Sequence, residues 1–148
     1  MAPFIVLVAS FLLFRGLGFV GLSYFADWQA SLQAAVALML LLTASAHWGK
    51  RCGDLIQMVP PTLPKREWIV SATGILEIAG AILIVLPFTS GAAAIGLVVL
   101  LIAMFPANIR AARERLTIGG KPVPPLGVRI VLQLIFIAAI LGASPLFY

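Results

Sequence analysis

The chain is poor in charge and in side chains that bind metals. Of its 148 residues only 10% are Asp, Glu, Lys or Arg, and there is one cysteine, Cys52, and one histidine, His47. Soluble domains run at about 25% charged and about 45–50% apolar residues. With 62% hydrophobic residues this sequence has too few charges to coat a water-facing surface and too much apolar surface for one core of its size. A soluble enzyme is excluded, and so is a disordered chain, which needs the opposite composition. A single thiol makes no internal disulfide and no Cys-x-x-Cys redox centre. One cysteine and one histidine do not suffice for a zinc or haem site built by this chain alone, so no metal site and no built-in cofactor are expected.

Acidic residues are scarcer than basic ones, five against ten, giving a formal net charge of +5. In an apolar chain such an excess is topological, so the lipid bilayer is the expected partner and nucleic acid is not. The length fits one domain over residues 1–148.

What the chain has is long apolar runs, with a mean hydropathy of +1.13. A membrane crossing takes about 20 mostly apolar residues. Five stretches qualify, roughly Pro3–Tyr24, Gln29–Trp48, Trp68–Phe88, Gly91–Ile109 and Leu126–Phe147. The expected fold class is an all-α integral membrane protein, a five-transmembrane-helix bundle. The first stretch has no cation ahead of it, runs too long for a signal peptide and lacks a small-x-small cleavage site, so it is expected to stay as a span.

The connections alternate in charge. Phe25–Trp28 carries Asp27 and no cation, and Pro87–Gly91 carries no charge. Gly49–Glu67 carries Lys50, Arg51, Lys65 and Arg66; Arg110–Pro125 carries Arg110, Arg113, Arg115 and Lys121, with Arg129 just inside the next span. Five spans place these nine cations on one face and leave Arg15 within a span. The positive-inside rule assigns that face to the cytoplasm, with the N-terminus cytoplasmic and the C-terminus outside. Pro87 and Gly91 predict a tight hairpin between the third and fourth spans. The fourth span is expected to continue as a helical end over Asn108–Leu116, stopped by Gly119-Gly120. Pro122, Pro124 and Pro125 are expected to hold an extended loop.

Polar residues inside the spans carry the functional signal. Arg15 and Glu77 fall at similar depth, of opposite sign, and an intramembrane charge costs at least about 2.5–3.5 kcal/mol unless it faces the interior and finds a partner. They are expected to share a polar interior, directly or through water. Ser71, Gly74 and Ala81 near Glu77, and Gly16, Gly18 and Gly21 near Arg15, let neighbouring helices approach. Such a pair either locks helix register or serves as a proton or ligand site. A second polar set, His47, Asn108 and Gln133, lies nearer the basic face at depths that allow convergence. His47 suits proton exchange near neutral pH, while His47-Trp48 at a span end also suits interfacial anchoring. Asn108 alternatively satisfies the carbonyl freed by Pro106. The connection Leu55–Pro64 is apolar yet holds three prolines, which predicts an interfacial or re-entrant lid formed by Met58, Pro60, Pro61 and Pro64.

Ala46-His47-Trp48, then Met58-Val59-Pro60-Pro61-Thr62-Leu63-Pro64, then Gly74-Ile75-Leu76-Glu77-Ile78-Ala79-Gly80, then Phe105-Pro106-Ala107-Asn108-Ile109 occur in that order. This series resembles the DoxX family of small bacterial membrane proteins over about Ala44 to Ile137, with Trp48 standing where the family most often has Phe. The span containing Arg15 precedes the four-span core of that family. The resemblance implies an inner-membrane accessory subunit of an oxidoreductase or oxidative-stress system. Relatives with paired cysteines suggest thiol exchange, which Cys52 alone does not support.

Together these features predict a pocket, covered by the Pro-rich lid, that binds a small lipophile, with a quinone as leading candidate. Arg15, His47, Asn108 and Gln133 would serve as donors to its carbonyls, and Glu77 would exchange a proton. The expected partners are membrane oxidoreductase subunits or further copies of the chain. The competing expectation is a non-catalytic assembly protein whose small residues, such as Gly96, Ala103 and Ala107, clasp a partner's spans. A small transporter is less favoured, because inverted-repeat halves and paired broken helices are not evident.

Overall fold

Backbone polar groups in apolar stretches find no water, so they are satisfied internally, and a helix does this within one segment. The computed structural model describes residues 2–145 and is mostly helical. Its helices are α1 (Ala2–Phe19), α2 (Trp28–Ser45), α3 (Cys52–Met58), α4 (Arg66–Val85), α5 (Ser90–Arg113) and α6 (Leu126–Ala143). Five of them, all but α3, are long and apolar enough to cross a membrane. The last residues of the fifth expected span, Leu146 and Phe147, and the expected outer placement of Tyr148 lie outside the described residues.

Helix α2 is the hub. It packs against α1, α4 and α6, while α5 packs against α4 and α6, so α2, α4, α5 and α6 close a ring with α1 laid against α2 outside it. Val36 and Met39 of α2, Ile84 of α4, Leu97 of α5 and Ile140 of α6 meet in the middle. Large apolar side chains also face outward, among them Phe19, Leu12, Ile75 and Leu134, a surface ill suited to water.

Helix ends differ from the expected boundaries where backbone geometry intervenes. The first helix stops at Phe19 and not at Tyr24, because Gly21 takes a φ of +126° and a 3-10 turn, Ser23–Ala26, follows. Phe25 of that turn stacks on Phe14 with ring centroids 4.8 Å apart. Asp27 then caps α2, its carboxylate accepting from the Gln29 amide at 3.2 Å. The expected helix through Leu116 ends at Arg113, and Arg115 is left-handed at φ +52°. Gly119 and Gly120 do not stop that helix. Both have positive φ and form the two-residue turn of a short hairpin, β1 (Thr117–Ile118) with β2 (Lys121–Pro122), which only glycine-like residues allow.

The connections gather at two ends. At one, Arg110 donates to the Gln57 carbonyl, Asp54 accepts from the Gly119 amide at 3.0 Å, and α3 packs on α4, α5 and β1. The nine cations outside α1 belong to this end. At the other, Gln33 of α2 donates to Ser90 of α5 at 3.2 Å and to the Ala143 carbonyl of α6 at 2.9 Å.

A buried histidine–carboxylate pair as candidate functional site

Past Ser45 the chain turns, with the His47 amide donating to the Ala44 carbonyl at 3.0 Å, and this directs the imidazole inward against α4. His47 and Glu77 are each only 5% exposed. His47 Nε2 lies 3.5 Å from Glu77 Oε1, and His47 Nδ1 lies 2.6 Å from the Val70 carbonyl. A carbonyl only accepts, so Nδ1 carries a hydrogen. A further proton between Nε2 and the carboxyl group would make the pair either imidazolium with carboxylate or imidazole with carboxylic acid. Either arrangement is neutral as a pair and costs less to bury than one charge alone. The second carboxyl oxygen, Oε2, accepts from the Thr43 hydroxyl at 2.8 Å. Thr73 stands on the far side of the ring, 3.3 Å from Nδ1, and donates to the Val70 carbonyl at 2.9 Å.

The glycines flanking Glu77 are explained by this packing. A methyl on Gly74 would meet His47 and Trp48 at 2.8–2.9 Å, and one on Gly80 would meet the Leu97 side chain at 2.4 Å. One turn below Glu77 the missing side chain admits the histidine; one turn above, it admits α5. The Gly-x-x-Glu-x-x-Gly spacing thus places a carboxyl group on one helix face between two close approaches.

The expected Arg15–Glu77 partnership does not form. Because α1 ends early, Arg15 sits in its last turn, where it donates to the Phe25 and Ala26 carbonyls at 3.4 and 2.6 Å and lies 5.0 Å over the Phe19 ring. It ties the α1–α2 connection at the end of the bundle opposite the basic loops. Glu77 lies beside the last turn of α2, about midway along α4. The two residues therefore differ in depth: Arg15 is level with the start of α2 and Glu77 with its last turn.

The second polar set divides. His47 joins Glu77, whereas the carboxamide oxygen of Asn108 accepts from Arg129 of α6 at 3.2 Å. Gln133 is half-buried on α6 and takes no part in the His47–Glu77 network. In the lid segment Met58 is buried as the last residue of α3, Pro60 is half-buried, and Pro61 and Pro64 are exposed. Thr43 was not singled out in the sequence; its position four residues before His47, on the same face of the α2 end, was the available signal. Gln29 and Gln33 were also passed over. They line a cavity of about 360 Å³ at the end away from the basic loops.

These features define a four-helix ring with a flanking helix and one buried histidine–carboxylate pair. The chain belongs to the family described as Domain of unknown function (DUF8561), whose model matches residues 36–143. The match begins within α2 and ends with α6, so it contains the His47–Glu77 pair and excludes α1. No curated protein and no solved structure matches the chain.

Proposed function

We propose that this is a DoxX-like protein of the bacterial inner membrane, with five spans, a cytoplasmic N-terminus and a C-terminus outside. In this reading it binds a quinone or similar lipophile as an accessory subunit of a membrane oxidoreductase or oxidative-stress system. The observation that supports it is the buried contact between His47 and Glu77 among apolar helices, because buried ionisable groups there default to functional candidates. Each quinone carbonyl that becomes a hydroxyl takes one electron and one proton. The partner subunit supplies the electron; the His47–Glu77 pair supplies the proton and regains it from water at the basic end. Trp48, half exposed with its ring centroid 6.1 Å from that of His47, offers a flat face for the ring.

Mass spectrometry of the protein purified in mild detergent tests this. Wild type should carry quinone enriched over bulk lipid, and His47→Gln and Glu77→Gln should each lose it while remaining folded. Bulk phospholipid alone in the wild type would overturn the reading. It would favour a non-catalytic assembly protein, for which the supporting observation is the outward face of α5, where Gly96 and Ala103 are exposed and a methyl on Gly96 would meet nothing within 4 Å. In that case Gly96→Leu should abolish co-purification of the partner.

A further inference from the structure

At the end that carries the basic loops, α5 and α6 turn three polar residues toward one another. Leu97 of α5 and Ile140 of α6 belong to the core of the ring. Asn108 follows Leu97, and Arg129 precedes Ile140, by eleven residues, close to three turns at about 3.6 residues per turn. Each therefore continues the inner face of its helix. Because α5 runs toward the basic loops and α6 away from them, the two residues reach the same level, and the Asn108 carboxamide oxygen accepts from Arg129 Nη2 at 3.2 Å. Gln133, one turn further along α6, shares the Arg129 face. All three are half-buried.

The guanidinium has no counter-charge here. Among the described residues Arg129 makes no ion pair: Glu114 binds Arg110 at 3.0 Å, Asp54 accepts from the Gly119 amide, and Glu67 is exposed in the first turn of α4. Its Nε is enclosed. Nη1 also lacks a partner but stays accessible, as do the Asn108 nitrogen and both amide atoms of Gln133. An arginine held inside a span without a carboxylate is complementary to an anion. A carboxylate favours two parallel N–H groups of one guanidinium, whereas here Nη2 is shared with Asn108 and Nε is out of reach. A phosphate spreads its oxygens and accepts from Nη1 and from the amides at the same time. Arg129 lies about 5 Å from the start of α6 at 1.5 Å per residue, a depth suited to a lipid phosphate. Val128, Ile130 and Val131 around it are exposed and suit acyl chains.

We propose that Arg129, Asn108 and Gln133 form a binding site for a phosphate group, carried by an anionic phospholipid or free in solution. The site does not use the His47–Glu77 pair and does not rest on the function proposed for it.

The test uses the full-length protein, stripped of lipid in mild detergent and titrated separately with phosphatidylglycerol and with inorganic phosphate. Native mass spectrometry counts bound lipid, and the unfolding temperature follows both probes. At least one probe should bind saturably, one per chain. Arg129→Gln should weaken that binding about tenfold, and Gln133→Leu about threefold. Gln133→Leu should leave the unfolding temperature without probe unchanged, because its amide has no partner in the chain to lose. Arg113→Gln removes an equal charge from an exposed position at the same end and should change binding by less than about twofold. Saturation by phosphatidylglycerol alone would identify a lipid headgroup as the source, and saturation by inorganic phosphate would identify the free ion. Absence of saturable binding with both probes would overturn the proposal. Equal weakening by Arg113→Gln and Arg129→Gln would also overturn it, since the basic end would then attract anions without a site. Quinone retention is a separate readout, so failure here leaves the His47–Glu77 reading standing.

Discussion

Gly74 and His47 meet at a distance that only glycine permits. A methyl on Gly74 would stand 2.9 Å from both Cβ and Cγ of the histidine, and 2.8 Å from the tip of the Trp48 ring. The contact is what brings the imidazole down onto the helix that carries Glu77, so the smallest side chain in the segment sets the reach of its only buried acid.

Gly74→Ala should therefore lower stability by about 1–3 kcal/mol, the usual cost of overpacking, and should loosen the His47–Glu77 contact. Gly16→Ala, Gly96→Ala and Gly127→Ala add a methyl to open space and should cost nothing. Thermal unfolding in one detergent, compared across the four variants, checks the contrast.

Removing one member of the buried pair strands the other. Glu77→Gln and His47→Gln should each cost about 3–5 kcal/mol, and the combination His47→Leu with Glu77→Leu should cost less than the sum of its single changes. A double-mutant cycle measures the coupling directly. Additive losses would show that the two groups do not interact.

Arg15 belongs to a different interaction. Arg15→Gln should lose about 1 kcal/mol through its bonds to the Phe25 and Ala26 carbonyls, and its effect should add to that of Glu77→Gln within about 0.5 kcal/mol. A strong coupling between them would contradict the placement of Arg15 at the far end of the bundle.

The proposed orientation puts Cys52 on the cytoplasmic side. In whole cells an impermeant thiol reagent should leave native Cys52 untouched and should label Phe88→Cys made in a Cys52→Ser background, because Phe88 is fully exposed in the opposite connection. Labelling of Cys52 from outside would reverse the topology.

The long apolar helices were readable from the sequence because hydropathy over about 20 residues is a sum to which many side chains contribute. The gathering of the basic connections at one end was readable for the same reason. The depth of Arg15 relative to Glu77 is set by how α1 and α4 are offset along α2, which no sum over side chains reports. The Gly119-Gly120 pair marks a break in the sequence but does not say which one, since two adjacent glycines serve a helix stop and a hairpin equally well. His47 and Glu77 stood out as rare ionisable residues, yet their meeting depends on the turn after Ser45 and on the clearance at Gly74. Thr43, Gln29 and Gln33 escaped notice because uncharged polar residues at helix ends are common, and only the fold shows which of them are enclosed.

The position of α1 outside the ring has a consequence of parity. In a bilayer, the four ring helices are an even number of crossings and return the chain to the face from which α2 departs. One more helix, packed on the outer side of α2, makes the number odd and moves the start of the described chain to the opposite face. The histidine, the glutamate and the basic connections keep their orientation either way. In a bilayer the flanking helix would thus set on which side the N-terminal segment is presented, while the ring it leans on is unchanged.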